Sequence, residues 1–389
     1  MTGDRLRPRI IVVTRNLPPL IGGMERLIHR MIMGMHDWAD VEVIGPAGFG
    51  QHLPADVGTH EVPIRPLWRF LLRAFEKALG VAQTFKPDVV IGGSGLVAPI
   101  ILLVARYCRA RSVVYVHGLD VVTDHWLYRR LWLPAIRRCD AVIANSRNTR
   151  EMAIQRGVDP SRMTVVNPGT DIPAQDPNAR ARFRERYGLG ARPVLLSVGR
   201  LTARKGLPEF VSNCLSAILE ERPDTLLVVV GDDAVDALHR SGAEKGRALL
   251  QVAAERHDVA AAIRLLGPCD DATLSEAYQA ADLHVFPVRE IAGDVEGFGM
   301  VVIEAAAHGL PTVAFRVGGV PDALFEGRNG SLVRAGDYQS FSARTLHWLA
   351  TGGTEETSKG CRMVAHQFSW EIFAARMRSA TYPFSERTP

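Results

Sequence analysis

Lysine is scarce in this chain: 41 of its 46 basic residues are arginine and only 5 are lysine. Cysteine is scarcer in effect than in number. The five (Cys108, Cys139, Cys214, Cys269, Cys361) lie far apart, with no CxxC and no His/Cys ligand spacing. That excludes a disulfide framework and a zinc site and fits a reducing, cytoplasmic location. Long apolar runs are missing too. The longest, residues 96–105, is interrupted by Pro99 and is too short to span a bilayer. The opening MTGDRLRPR leads into a short apolar run and then a polar loop, which is not the pattern of a secretory signal. There is no GxxxxGK[ST] loop, no GxGxxG fingerprint, no fixed-period repeat and no low-complexity tract.

At 389 residues the chain is too long for one ordinary core and predicts two domains. A hydrophobic content of 47% with 23% charge is that of a soluble globular enzyme. The net charge of +4 hides an asymmetry. Residues 1–190 carry 26 basic against 17 acidic side chains, and residues 191–389 carry 20 against 25. The basic half also mixes arginine with aromatics, in LWRFLLR (67–73) and WLYRRLW (126–132). Such segments can hold a protein on anionic lipid headgroups. They are equally the pattern of ordinary amphipathic helices with arginine on the wet face. No nucleic-acid-binding motif accompanies the charge, so no nucleic-acid partner is expected.

Short β-rich runs alternate with helical segments, which predicts α/β architecture with parallel sheets. In the first half, strands are expected at 10–13, 41–44, 89–92, 113–116 and 141–144. Helices are expected near 24–35, 67–84, 96–109, 127–138 and 146–156. The stretch NPGTD (167–171), continued by IPAQDPNARARF, reads as a turn-rich junction. A second series of strands follows at 194–198, 226–230, 263–266, 283–286 and 312–315. The prediction is two Rossmann-like domains facing across a cleft: residues 1–180, residues 181–367, and a terminal helix in 368–389 packing back on the first. In such sheets ligands sit beyond the carboxyl ends of the strands. Asn16 to Gly23, His117, Asn145, Arg200, Asp232, Gly267 and Glu290 all follow predicted strands.

Four segments can carry chemistry. In SVGRLTARKG (197–206), Arg200 and Lys205 lie five residues apart in a loop before a helix, placed to converge on one anion. A solvated loop pair is the ordinary alternative. In VEGFGMVVIEAAAHGLP (295–311), Glu296 and Glu304 flank a Gly297-Phe298-Gly299 bend entering a helix. Carboxylates only accept hydrogen bonds, so they suit sugar hydroxyls; a helix-terminal and an exposed glutamate are the plain alternative. Gly22-Gly23 precedes a helix and can cradle a phosphate or a sugar. His117, in HGLD, can meet a sugar hydroxyl or a leaving oxygen, with Asp120 orienting it or binding an acceptor; a satisfied structural histidine is the alternative. Asp232-Asp233 and Asp270-Asp271 read as turn and helix-cap residues. Asp294-Val295-Glu296 looks like an acidic triplet, but no second acidic cluster supports a cation, so no metal is expected.

Taken in order, the GG loop, HGxD, NPGxD, SVGRLxxRKG and E-x7-E resemble glycosyltransferase family four across almost the whole chain, from about Arg9 to Trp370. The resemblance implies the GT-B fold and a retaining glycosyltransferase with no cofactor and no metal. It implies that Arg200 and Lys205 bind the donor diphosphate, with Gly22, Gly23, Gly297, Phe298 and Gly299 close to the donor. Glu304 would bind the ribose, Glu296 the transferred sugar, and His117 would lie near its reacting face. REIAGDVEGFG looks like bacterial mannosyltransferases that use GDP-mannose, including those acting on phosphatidylinositol. The implied partners are a nucleotide-diphosphate sugar and a lipid-linked or glycolipid acceptor of envelope polysaccharide synthesis, at the inner face of the membrane. Related readings are a UDP-sugar-dependent transferase, or a sugar-nucleotide epimerase or hydrolase on the same fold. A non-catalytic scaffold that recruits partners to a membrane belongs to another class. One departure stands out: GDDAVDALHRSGAEKG (231–246) replaces the G-x-G-P of many relatives.

Overall fold

The computed structural model describes residues 7–233 and 246–382. Most of the departing segment, 234–245, and the tail beyond 382 lie outside them. The chain divides into two compact units, Met1–Gly169 with Trp370–Pro389, and Thr170–Ser369.

The first unit holds seven strands: β1 (Arg9–Val13), β2 (Asp40–Pro46), β3 (Gly58–Val62), β4 (Val89–Gly92), β5 (Arg111–Val116), β6 (Ala141–Ala144) and β7 (Met163–Val165). They form one parallel sheet in the order β3-β2-β1-β4-β5-β6-β7. Alternate residues feed opposite faces, as a pleat requires. Ile11, Val13, Val90 and Val114 join the core under the helices Leu67–Phe85, Ala98–Cys108 and Trp126–Arg138. Ile10, Val12, Ile91 and Val113 join the core under the helix Gly23–His36. Phe373 and Met377 of the last helix, Trp370–Thr381, complete that second core, and Ala374 lies against Gly34. Pro99 sits in the first turn of its helix, where its missing N–H costs nothing.

The second unit holds β8 (Val194–Val198), β9 (Leu226–Val230), β10 (Ile263–Gly267), β11 (Leu283–Phe286), β12 (Thr312–Phe315) and β13 (Gly330–Val333). They form a second parallel sheet, β10-β9-β8-β11-β12-β13. Leu195, Leu227, Leu283 and Val313 face one core, and Leu196, Val228 and Val230 the other. Covered on both faces, the inner strands are apolar at nearly every position.

Three strands escaped the sequence reading: β3, β7 and β13. All three are sheet edges. An edge strand is covered on fewer sides and shows no continuous apolar run; β3 (GTHEV) buries only Val62. The junction stretch also hides a helix, Ala179–Arg186. Its arginines mask the helical period, because they bind acids and one of them, Arg184, is buried. Arg180 and Arg184 reach Asp282, and Arg182 reaches Asp176 and Glu276. Phe183 is buried beside β8, so this helix belongs to the second unit, and the break falls at Gly169 instead of at residue 180.

Candidate active site

In the second sheet, β8 has β9 on one side and β11 on the other. The chain builds outward one way through β9 and β10, then returns to add β11. That reversal between β8 and β11 is a topological switch point, and the loops at its carboxyl edge cannot close over one another. They are residues 199–206 and 287–299. The two loops meet backbone to backbone: Gly206 has φ +66°, and a Cβ there would overlap the Pro287 carbonyl. Only glycine fits that approach. From the other side Gly319 donates its N–H to the Glu296 carbonyl at 2.9 Å.

This packing brings Glu296 to Lys205. The Lys205 Nζ donates to Glu296 Oε2 at 2.8 Å, and the Arg204 guanidinium donates to the same oxygen through Nη1. Arg204 Nε also holds Asp294 Oδ1 at 2.9 Å. Lys205 rests 4.5 Å from the centre of the Phe286 ring. Glu296 is 9% exposed. Burial alone would raise its carboxyl, but the charges of Lys205 and Arg204 outweigh burial and hold it below the ordinary carboxylate range. Burial pushes the Lys205 ammonium down, against the pull of Glu296. His284, buried on β11 with Nδ1 3.1 Å from Thr312 Oγ1, is pushed down to about 3 by burial and then by Lys205. It stays neutral and adds no cation to the site.

Two of the expected site residues, Lys205 and Phe298, are already engaged within the protein. Arg200 and Lys205 do not form a free pair. Arg200 is exposed and its side chain makes no hydrogen bond or ion pair among the described residues, while Lys205 already holds a carboxylate. The cation beside Lys205 is Arg204, which the sequence reading passed over; its adjacency to Lys205 was the only signal. The Phe298 ring is buried, 5.7 Å from that of Phe368. Asp294 and Glu296 are held by Arg204, so the acidic triplet is neutralised from within. Gly299, at φ +89°, starts the helix Met300–Ala307 in a conformation that needs glycine. Glu304, about one turn inside it, accepts from Tyr278 OH at 3.2 Å. Gly297 has its carbonyl against Gly319, where a Cβ on Gly319 would collide.

In the first unit, the switch point lies between β1 and β4 by the same logic. Gly22 caps the helix that opens at Gly23, but that N-terminus is already met by a carboxylate. Glu25 folds back so that its Oε2 fills the space of a Cβ on Gly22, and its Oε1 accepts from Asn16 at 2.8 Å. His117 is buried, and its Nε2 donates to the Gly93 carbonyl at 2.8 Å. A carbonyl only accepts, so this bond puts the proton on Nε2 and leaves Nδ1 as the acceptor in the neutral ring. Asp120 does not orient that ring. Its Oδ2 accepts from the backbone N–H of His117 at 2.9 Å and so braces the turn. Asp270 caps its helix through the Thr273 N–H, as its spacing predicts, whereas Asp233 accepts from the Arg247 N–H, 14 residues away.

A family model for glycosyl transferases group 1 matches residues 192–351, and one for glycosyltransferase family 4 matches residues 21–173. The chain is a family-four glycosyltransferase. The glycosyltransferase is 29% identical over 356 residues to the GDP-mannose-dependent alpha-(1-6)-phosphatidylinositol monomannoside mannosyltransferase of Mycolicibacterium smegmatis, covering 88% of this chain and 89% of that one. It is 34% identical over 248 residues to D-inositol 3-phosphate glycosyltransferase 2 of Catenulispora acidiphila, covering 61% of this chain and 54% of that one. Among solved structures, Anabaena HepE with UDP and glucose superposes with TM-score 0.77 at 20% identity, covering 96% of this glycosyltransferase and 99% of HepE. WaaG, a glycosyltransferase involved in lipopolysaccharide biosynthesis, gives 0.68 at 17%, covering 96% and 100%. The fold is GT-B.

Proposed function

We propose that this glycosyltransferase moves mannose from GDP-mannose to a lipid-linked saccharide or glycolipid, with retention of anomeric configuration. One observation carries the reading: Lys205 and Glu296, 91 residues apart, meet at the switch point of the second sheet. Glu296 turns one oxygen to the protein's cations. Its other oxygen, Oε1, has no partner among the described residues and can accept from a sugar hydroxyl. Lys205, with Arg200 at the loop's exposed end, supplies positive charge for the diphosphate. The likeness to the M. smegmatis enzyme favours GDP-mannose and a glycolipid.

In this mechanism the bond from the anomeric carbon to the diphosphate oxygen breaks and its electron pair stays on that oxygen. Lys205, Arg200 and backbone N–H groups stabilise the growing charge without a metal. The acceptor hydroxyl attacks the same face, and its proton passes to the leaving phosphate. Glu304 with Tyr278 receives the ribose.

A thermal-shift panel of GDP-, UDP- and ADP-sugars tests the donor. GDP-mannose at a hundredfold excess over its Kd stabilises the protein by about 2.7 kcal/mol, and this persists in EDTA. A UDP-selective shift reassigns the donor. Free nucleotide or an epimer formed without acceptor turns the reading to a hydrolase or epimerase.

The acceptor side adds a lipid surface. No described helix is long and apolar enough to cross a membrane. Trp68 and Trp126 are 64% and 68% exposed, and Leu72, Tyr107 and Leu131 are exposed on the same group of helices. Arg69, Arg73, Arg106, Arg129 and Arg130 are exposed beside them. Arg69→Ala with Arg130→Ala should weaken binding to phosphatidylglycerol vesicles roughly 30-fold, at about 1 kcal/mol per arginine. Co-sedimentation at low salt reads this out, and equal binding of variant and parent would remove the membrane from the proposal.

A further inference from the structure

We infer that Arg204 is a positioning residue: it serves as the standing counter-ion of Glu296, so that Lys205 is free to move from Glu296 onto the donor diphosphate. The inference rests on the donor reading above and concerns a residue outside the pair expected to bind phosphate.

The geometry supports it in three ways. First, Arg204 grips the loop after β11 at both ends. Its own carbonyl accepts from the Arg289 N–H at 2.8 Å, its Nε holds Asp294, and its Nη1 holds Glu296. A guanidinium offers a planar fork of donors suited to this; an ammonium does not. Second, Glu296 Oε2 receives two cations at once. A buried carboxylate that loses its sole cation is left uncompensated, which is strongly unfavourable. With Arg204 remaining, Lys205 can leave at small cost. Third, the charges balance without a ligand: Arg204 and Lys205 against Asp294 and Glu296. A diphosphate brings new negative charge, and the cation on a flexible four-carbon stem is the one able to reach it.

A double-mutant cycle on the full-length protein, read by calorimetric titration with GDP, tests this. GDP carries the diphosphate but no sugar, so the sugar contact of Glu296 does not enter. Without Arg204, Lys205 is held as the only cation on Glu296. Arg204→Gln should therefore weaken GDP binding roughly 30-fold, equivalent to a couple of kcal/mol. Adding Glu296→Gln removes the competing carboxylate, and GDP binding should return to within about threefold of the parent. A merely structural Arg204 predicts the opposite, since the second substitution would add damage. If Arg204→Gln does not fold, Arg204→Lys, which keeps the charge but loses the fork, carries the same comparison: a roughly 5-fold weakening, again relieved by Glu296→Gln. A double variant as weak as the single, or a single variant that binds GDP like the parent, overturns the inference alone. Failure of the unmodified protein to bind any nucleoside diphosphate overturns the donor reading and this inference with it.

Discussion

Lys205→Ala lowers turnover with the true donor by about 10²–10³, the scale set by removing one preorganised group that stabilises developing negative charge. The effect falls on kcat as well as on donor affinity, because charge on the leaving diphosphate is greatest in the transition state. Lys205 sits part-buried beside Phe286 and Glu296, where a charge interaction is worth more than at the open surface. Single-turnover and steady-state kinetics check the result, and unchanged turnover in the variant would remove Lys205 from the mechanism.

Glu296→Gln lowers stability at neutral pH by about 3 kcal/mol, because the part-buried Lys205 and Arg204 then lose the carboxylate they share. That corresponds to a fall in Tm of roughly 6–12 °C for a domain of this size. The loss depends on pH. Lys205 and Arg204 hold the folded Glu296 carboxyl below its unfolded value. Its stabilisation is therefore complete above the ordinary carboxylate range and disappears as pH falls through the folded value. The gap in stability between parent and variant should narrow on acidification, as measured by denaturant unfolding at a series of pH values. A gap that is constant with pH, or absent at neutrality, would mean that the ion pair does not support the fold.

Much of the architecture was readable from residues alone. Inner strands of a doubly covered parallel sheet are apolar at almost every position, so β1, β4, β5, β6, β8, β9, β11 and β12 stand out as short apolar runs. Edge strands lack that covering, and the helix Ala179–Arg186 hides its buried face behind arginines whose acidic partners lie about a hundred residues away. The candidate site divides the same way. The loops that carry it follow recognisable strands, and Gly206 and Gly299 mark where the backbone turns left-handed. Which side chain meets which was not readable. Arg204 and Lys205 are neighbours in sequence with similar charge, and Glu25 and Tyr278 sit among ordinary helix residues.

Two parallel α/β sheets, and the strand ends where polar loops gather, were fixed by local pattern, since burial on both faces imposes its own composition. Strand order was not. That order places β8 beside β11 and so sets Arg204 and Lys205 against Glu296, turns Phe298 inward, and commits Nε2 of His117 to Gly93. Pairing between distant charges depends on which loops become neighbours, and only the folded sheet settles that.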